Sequence, residues 1–164
     1  MKKQYKEINC IINGEKVSKI CDVRASLTDF LRDDFSLHSV KKGCEVGECG
    51  ACTVIIDGKT YDSCIYLAIW ADGKEITTTE GLMEKDGSLS DLQQNFISEG
   101  AVQCGFCTPG MLMSAEQLLR DNKDRKIDRE EIRRGMAGNL CRCTGYMDIV
   151  NAVEKTAKLR ENKQ

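Results

Sequence analysis

Three thiols crowd into one short stretch, Gly43-Cys44-Glu45-Val46-Gly47-Glu48-Cys49-Gly50-Ala51-Cys52, and a fourth, Cys64, follows after eleven further residues. The spacing C-x4-C-x2-C with a distant fourth cysteine is the plant-type arrangement that wraps a [2Fe–2S] cluster, four thiolates for two irons. Such a loop must curl around inorganic sulfides with its N–H groups pointing inward. Gly43, Gly47 and Gly50 suit that curl, because glycine accepts positive φ and lets backbone approach closely. A structural zinc site pairs separated C-x2-4-C knuckles instead of crowding three thiols into nine residues. A dithiol redox pair at Cys49-Gly-Ala-Cys52 would need a βαβ context and no third thiol upstream. Haem attachment fails because Thr53, not histidine, follows Cys52. Rieske ligation needs two histidines, and the chain has only His38.

Ten cysteines in 164 residues leave two choices, a disulfide framework or metal ligation by reduced thiols. The start, Met-Lys-Lys-Gln-Tyr-Lys-Glu, has no apolar stretch behind its lysines, so no secretory signal is expected and the thiols are expected to stay reduced in the cytoplasm. No apolar run approaches the ~20 residues that span a bilayer. The net charge is −2 without a long basic run, so nucleic-acid binding has no electrostatic footprint. About eighty residues are available to each half of the chain, which limits each core, and metal binding would add folding free energy to both.

Read in order, residues 5 to 12 alternate with Ile8, Cys10 and Ile12 on one face. Asn13-Gly14 then turns the chain into a second run from Lys16 to Val23, the pattern of a β-hairpin. Cys10 and Cys21 read as small buried hydrophobes without a ligand role. Ser26 is placed to cap a helix through Phe35 with the stripe Leu27, Phe30 and Leu31. Strands are expected at Thr53–Ile56, at 59–62 after Asp57-Gly58, and at Glu75–Thr79, with residues 80 to 88 as a surface connector. From Ser88 the pattern becomes helical. Ser90 with Gln93 and Asp128 with Glu131 form capping boxes. Leu89, Leu92 and Phe96 stripe the first of these helices and Gly100 ends it; Ile132 and Met136 stripe the other, with Gly138 near its end.

A second set of thiols, Cys104-Gly-Phe-Cys107 and Cys141-Arg-Cys143, has matching surroundings at its two pairs. The first runs into Thr108-Pro109-Gly110 and an apolar helical stripe, the second into Thr144-Gly145-Tyr146 and another. Thr108 and Thr144 are the expected N-caps, with Pro109 at the first helical position. Two helix N-termini would then face four thiolates, whose negative charge their dipoles and free N–H groups favour. Spacing alone leaves structural zinc open at this set, since C-x2-C also occurs in zinc sites.

Taken together and in this order, the blocks Gly43–Thr53, Gly100–Gly110 and Gly138–Tyr146 resemble the iron–sulfur subunit or domain of the molybdenum hydroxylases, the xanthine dehydrogenase and aldehyde oxidase family. The resemblance runs from Ile8 to Val153. It implies an α+β fold: a ferredoxin-like β-grasp domain over residues 1–80, then a four-helix-bundle-like [2Fe–2S] domain over 81–164. It implies two clusters, one on Cys44, Cys49, Cys52 and Cys64, the other on Cys104, Cys107, Cys141 and Cys143. It also implies that Gln103 and Cys143 approach a molybdopterin on a large partner subunit, and that the loop from Gly43 to Gly50 faces FAD on another. Electrons from substrate hydroxylation at molybdenum would pass through both clusters to FAD. The chain has no G-x-G-x-x-G fingerprint and one histidine, so it is expected to hold neither outer cofactor itself. The segments 63–76 and 131–135 are similar to bacterial xanthine dehydrogenase small subunits, which suggests purine oxidation. Subunits serving nicotinate, aldehyde, CO or aromatic substrates remain alternatives, as does a free ferredoxin-like carrier.

Overall fold

The computed structural model describes residues 4–162. Residues 1–3 and 163–164, which the two expected domains and the reading of the N-terminal lysines include, lie outside the described residues. Strand β1 (Tyr5–Ile12) and β2 (Glu15–Asp22) pair antiparallel around Asn13-Gly14, in a register that sets Ile8 opposite Lys19 and Cys10 opposite Val17. The alternation places Ile8, Cys10 and Ile12 in the core, and Cys21 is buried as well. Helix α1 (Leu27–Asp29) starts at Ser26, whose Oγ accepts the Asp29 N–H. From Phe30 to Asp34 the coil widens into a π-type turn, so the expected helix through Phe35 is α-helical only at its start. Phe30, Leu27 and Leu31 nevertheless face inward together.

Strands β3 (Thr53–Ile56), β4 (Lys59–Asp62) and β5 (Glu75–Thr77) complete a mixed sheet in the order β2-β1-β5-β3-β4, with β1 and β5 parallel and the other pairs antiparallel. Strand β3 is apolar at three of its four positions because both of its faces are covered. Val54 and Ile56 enter the core between sheet and α1, while Ile55 enters a second core among the helices. At about 2 kcal/mol for each buried aliphatic side chain, this one strand contributes to both packings. The segment after β5 is no loose strap. Thr79–Leu82 forms a tight helical turn, Leu82 is buried among the helices, and Glu80 bonds to Ser39 and Thr78.

Helices α2 (Asp91–Ser98), α3 (Thr108–Asp121), α4 (Arg129–Gly135) and α5 (Met147–Glu161) form the helical half. The capping boxes at Ser90/Gln93 and Asp128/Glu131 are both made. Leu89 lies before the cap and is exposed, so the stripe of α2 begins at Leu92. Near the C-terminus of α5, the Arg160 guanidinium reaches Asp91 on α2 and Glu116 on α3, each at 2.8 Å. Burial opposes its charge, but the two carboxylates outweigh that and raise its pKa. Three helices are joined through one side chain. Arg160→Met is expected to cost about 2 kcal/mol, between the value of a surface pair and that of a buried one, because the link from α5 to Asp91 and Glu116 is lost while Glu116 keeps Arg120. A denaturant midpoint unchanged from the parent chain would contradict this.

Candidate metal centres

The first set of thiols is assembled by the β3–β4 hairpin and the loop before it. Cys52 immediately precedes β3, and Cys64 lies two residues past β4, whose register pairs Thr53 with Asp62. Between them, Ser63 is fully buried: its hydroxyl donates to the Cys52 carbonyl at 2.7 Å and meets Thr28 Oγ1 at 2.6 Å. The Thr28 N–H donates to the Ser63 carbonyl. The first turn of α1 therefore holds the turn that carries Cys64.

Cys44 and Cys49 come from the loop itself. Cys44 Sγ accepts the N–H groups of Val46 at 3.5 Å and Glu48 at 3.3 Å, so backbone donors point inward at sulfur. Those two bonds lead the causes that bring the Cys44 thiol down to about 7. Burial instead pushes Cys52 up to about 12. The expected reason for Gly43 needs amendment, because its φ is ordinary. What it requires is room: a Cβ there would stand 2.7 Å from Cys49 Sγ.

The second set lies at the ends of α3 and α5. Cys107 is itself the cap residue of α3, with Thr108 as the first helical residue, and α5 begins only at Met147 after Tyr146. Neither Thr108 nor Thr144 caps as expected. At Thr144 the left-handed Tyr146 delays the helix, and the threonine hydroxyl turns to Cys141 Sγ at 3.1 Å instead. Burial works against the Cys141 thiolate, but bonds from Thr144 and from the neighbouring backbone outweigh it and bring the thiol to about 7. Burial sends Cys107 up to about 12.

The thiols of each set neighbour one another. Cys44 faces Cys49 and Cys52 faces Cys64 in the first; in the second Cys107 faces both Cys141 and Cys104, and Cys143 Sγ lies 3.6 Å from Cys104 Sγ. Among the described residues no group of three or more His, Cys, Asp or Glu side chains has the arrangement of a single-ion site. Tetrahedral zinc needs four ligands converging on one point. Two irons bridged by sulfide need two thiols at each metal, which is the donor set present at both places. The residues fit two-iron clusters. Cys10 and Cys21 take no part, and burial raises the thiol pKa of both, Cys10 to about 11. Gln103 and Cys143 are both exposed, as is Cys104, so the second site has an outward face. Val46 is exposed on the first loop.

Contacts that the sequence did not reveal join the two loops. The Leu140 N–H donates to the Cys49 carbonyl at 2.9 Å, and Asn139 Nδ2 donates to the Gly50 carbonyl at 2.8 Å and to Thr53 Oγ1 at 3.2 Å. Asn139 is buried at this seam. Gly110 on α3 packs so closely on the Gly50 carbonyl that any Cβ would collide with it. The one sequence signal was the Gly138-Asn-Leu run before Cys141, whose partners lie some ninety residues away.

Comparison with known proteins agrees with both halves. The family model of a 2Fe-2S iron-sulfur cluster binding domain matches residues 10–83, and that of a [2Fe-2S] binding domain matches 78–154. The chain is 53% identical over 152 residues to the xanthine dehydrogenase iron-sulfur-binding subunit of Escherichia coli O157:H7, covering 91% of this chain and 94% of that one. It is also 53% identical over 146 residues to the nicotinate dehydrogenase small FeS subunit of Eubacterium barkeri, covering 89% and 91%. Among solved structures, quinoline 2-oxidoreductase from Pseudomonas putida 86 aligns with TM-score 0.91 and 42% identity over 97% of this chain and 98% of that chain. The aldehyde oxidoreductase of Desulfovibrio desulfuricans ATCC 27774 aligns with TM-score 0.90 and 40% identity over 97% of this chain and 18% of that longer one.

Gly110→Val is expected to destabilise the chain by about 1–3 kcal/mol, as overpacking does, by forcing α3 off the first loop. A denaturation midpoint equal to that of the unaltered chain would show that the seam yields without cost.

Proposed function

The chain belongs to the iron–sulfur subunits of the molybdenum hydroxylases, and we propose that its eight paired thiols make it the electron relay between two partner subunits. Cys44 and Cys49, with Cys52 and Cys64, are assigned to one [2Fe–2S] cluster; Cys104 and Cys143, with Cys107 and Cys141, to the other. The single observation that carries the assignment is the gathering of four thiols at each of two places, within the spans that the two 2Fe-2S family models match. When bound, each cluster exchanges one electron at a time, which divides a two-electron oxidation into steps that a flavin can recombine.

What the chain itself does is hold, shield and orient. The N–H groups of Val46 and Glu48 meet the negative charge at Cys44, and the N-terminus of α3 does the same beside Cys107. Exposed Gln103 and Cys143 are assigned to the face toward a molybdopterin-bearing large subunit. The loop from Gly43 to Gly50, with Val46 outward, is assigned to the FAD-bearing subunit. We assign residues 1–80 to a β-grasp domain and 81–164 to a helical one, a division supported by the two cores and qualified by Ile55, which crosses between them.

Purine oxidation is the substrate reading, supported by the xanthine dehydrogenase relative and by the sequence of segments 63–76 and 131–135. The equal identity to the nicotinate dehydrogenase subunit favours nicotinate as the second. Ten cysteines free of disulfides support a reducing compartment, the cytoplasm. No helix among the described residues is long and apolar enough to cross a membrane.

Native purification followed by metal analysis and EPR tests the assignment. About four irons per chain and two distinct [2Fe–2S] signals are expected from the ligand count, in a species carrying molybdenum and FAD. A brown protein running alone near 18 kDa would contradict the relay. Cys49→Ser should erase the first cluster's signal, keep the second's and abolish flavin reduction by substrate. Cys143→Ser should disturb the other signal and stop electron entry, so undiminished turnover in that variant would remove Cys143 from its assigned place.

A further inference from the structure

Thr144 follows directly on Cys141-Arg142-Cys143, and no helix cap accounts for its placement. Its oxygen accepts the Tyr146 N–H at 3.2 Å, which leaves its single proton for Cys141 Sγ at 3.1 Å. The Tyr146 hydroxyl in turn accepts the Cys141 N–H at 2.8 Å. Cys141, Thr144 and Tyr146 thus close a ring of three hydrogen bonds in which one donor points at sulfur. The backbone bends to make it: Tyr146 adopts φ +69°, a left-handed conformation that aromatic residues adopt only at a cost. Cys141 is half-buried, whereas Cys104 and Cys143 are exposed. An O–H···S bond away from bulk water is electrostatically stronger than one in solvent.

Resting on the assignment of Cys141 to the second cluster, we infer that Thr144 is a positioning residue that raises this cluster's redox potential through its O–H···S bond. One electron taken up by a cluster held there would add one negative charge beside Cys141 Sγ. A hydroxyl dipole aimed at Cys141 Sγ favours that added charge, and hydrogen bonds to sulfur are among the levers that set such potentials. The hydroxyl therefore makes the second site easier to reduce than its thiolates alone would allow, which suits a site that receives electrons first.

Thr144→Val keeps the branched shape and removes the donor, while Thr144→Ser keeps the donor and removes the methyl group. In the assembled complex, dithionite titration followed by EPR reads the two clusters separately. In Thr144→Val the reduced-to-oxidised ratio of the second cluster at a fixed potential is expected to fall about tenfold, a downward shift of about 59 mV for one electron. The first cluster should not move, and Thr144→Ser should titrate with the parent complex. A second cluster at the parent potential in Thr144→Val, or one displaced as far in Thr144→Ser, would overturn the inference. Should Thr144→Val assemble no second cluster, Thr144→Ala takes its place, and equal potentials in Thr144→Ala and Thr144→Ser would overturn it equally. Absence of the second signal from the parent complex would instead overturn the cluster assignment beneath it.

Discussion

The hydrogen bond from the Leu140 N–H to the Cys49 carbonyl ties together the two loops on which everything else in this chain depends. Its donor lies one residue before Cys141 and its acceptor belongs to a thiol residue of the other set, so the backbones that carry the two sets meet directly. Asn139 reinforces the seam with two more bonds and is buried there, where an unpaired amide would be costly. Gly110 allows α3 to press on the same carbonyl that Asn139 holds. Strand β3 then fixes the seam from beneath, because its two faces enter different cores. A relay requires an unvarying separation between its centres, and these contacts supply it without a flexible hinge.

Each set gathers four thiols, and the fold treats them unequally. Cys44 and Cys141 receive donated hydrogen bonds and lie near 7, while burial holds Cys52 and Cys107 near 12. On the proposed assignment, a metal would displace the proton from thiols of the second kind, and assembly of each centre would release protons and add to folding stability. The exposed members, Cys104 and Cys143, complete the outward-facing pair. Burial thus divides the second set into a half-buried pair, Cys107 and Cys141, and an exposed pair.

Local patterns carried most of the fold. The alternation at Ile8, Cys10 and Ile12, the Asn13-Gly14 turn and the two capping boxes depend on neighbours within four residues, and the structure forms all of them. The π-type turn at Phe30–Asp34 departs from the expected helix, and Thr144 departs from its expected cap because the nearby left-handed Tyr146 starts α5 late. The thiol spacing named the cofactor class, since ligand number and order are written along the chain. Which cysteine associates with which was not legible. Cys107 meets Cys141 across 34 positions, and only the tertiary fold, which carries the start of α3 to the loop before α5, brings them together. Asn139 and Leu140 were invisible for the same reason, as their partners Gly50 and Cys49 lie on the opposite half.

The relay and the tuning by Thr144 both rest on four thiols holding a two-iron cluster at each place, and crystallographic anomalous scattering at the iron edge tests it. Two pairs of iron peaks are expected in an oxygen-free crystal of the complex. One pair would lie between Cys44 with Cys49 and Cys52 with Cys64, the other between Cys104 with Cys143 and Cys107 with Cys141. A single peak at the centre of either set of four, or a peak at the zinc edge in its place, would contradict it.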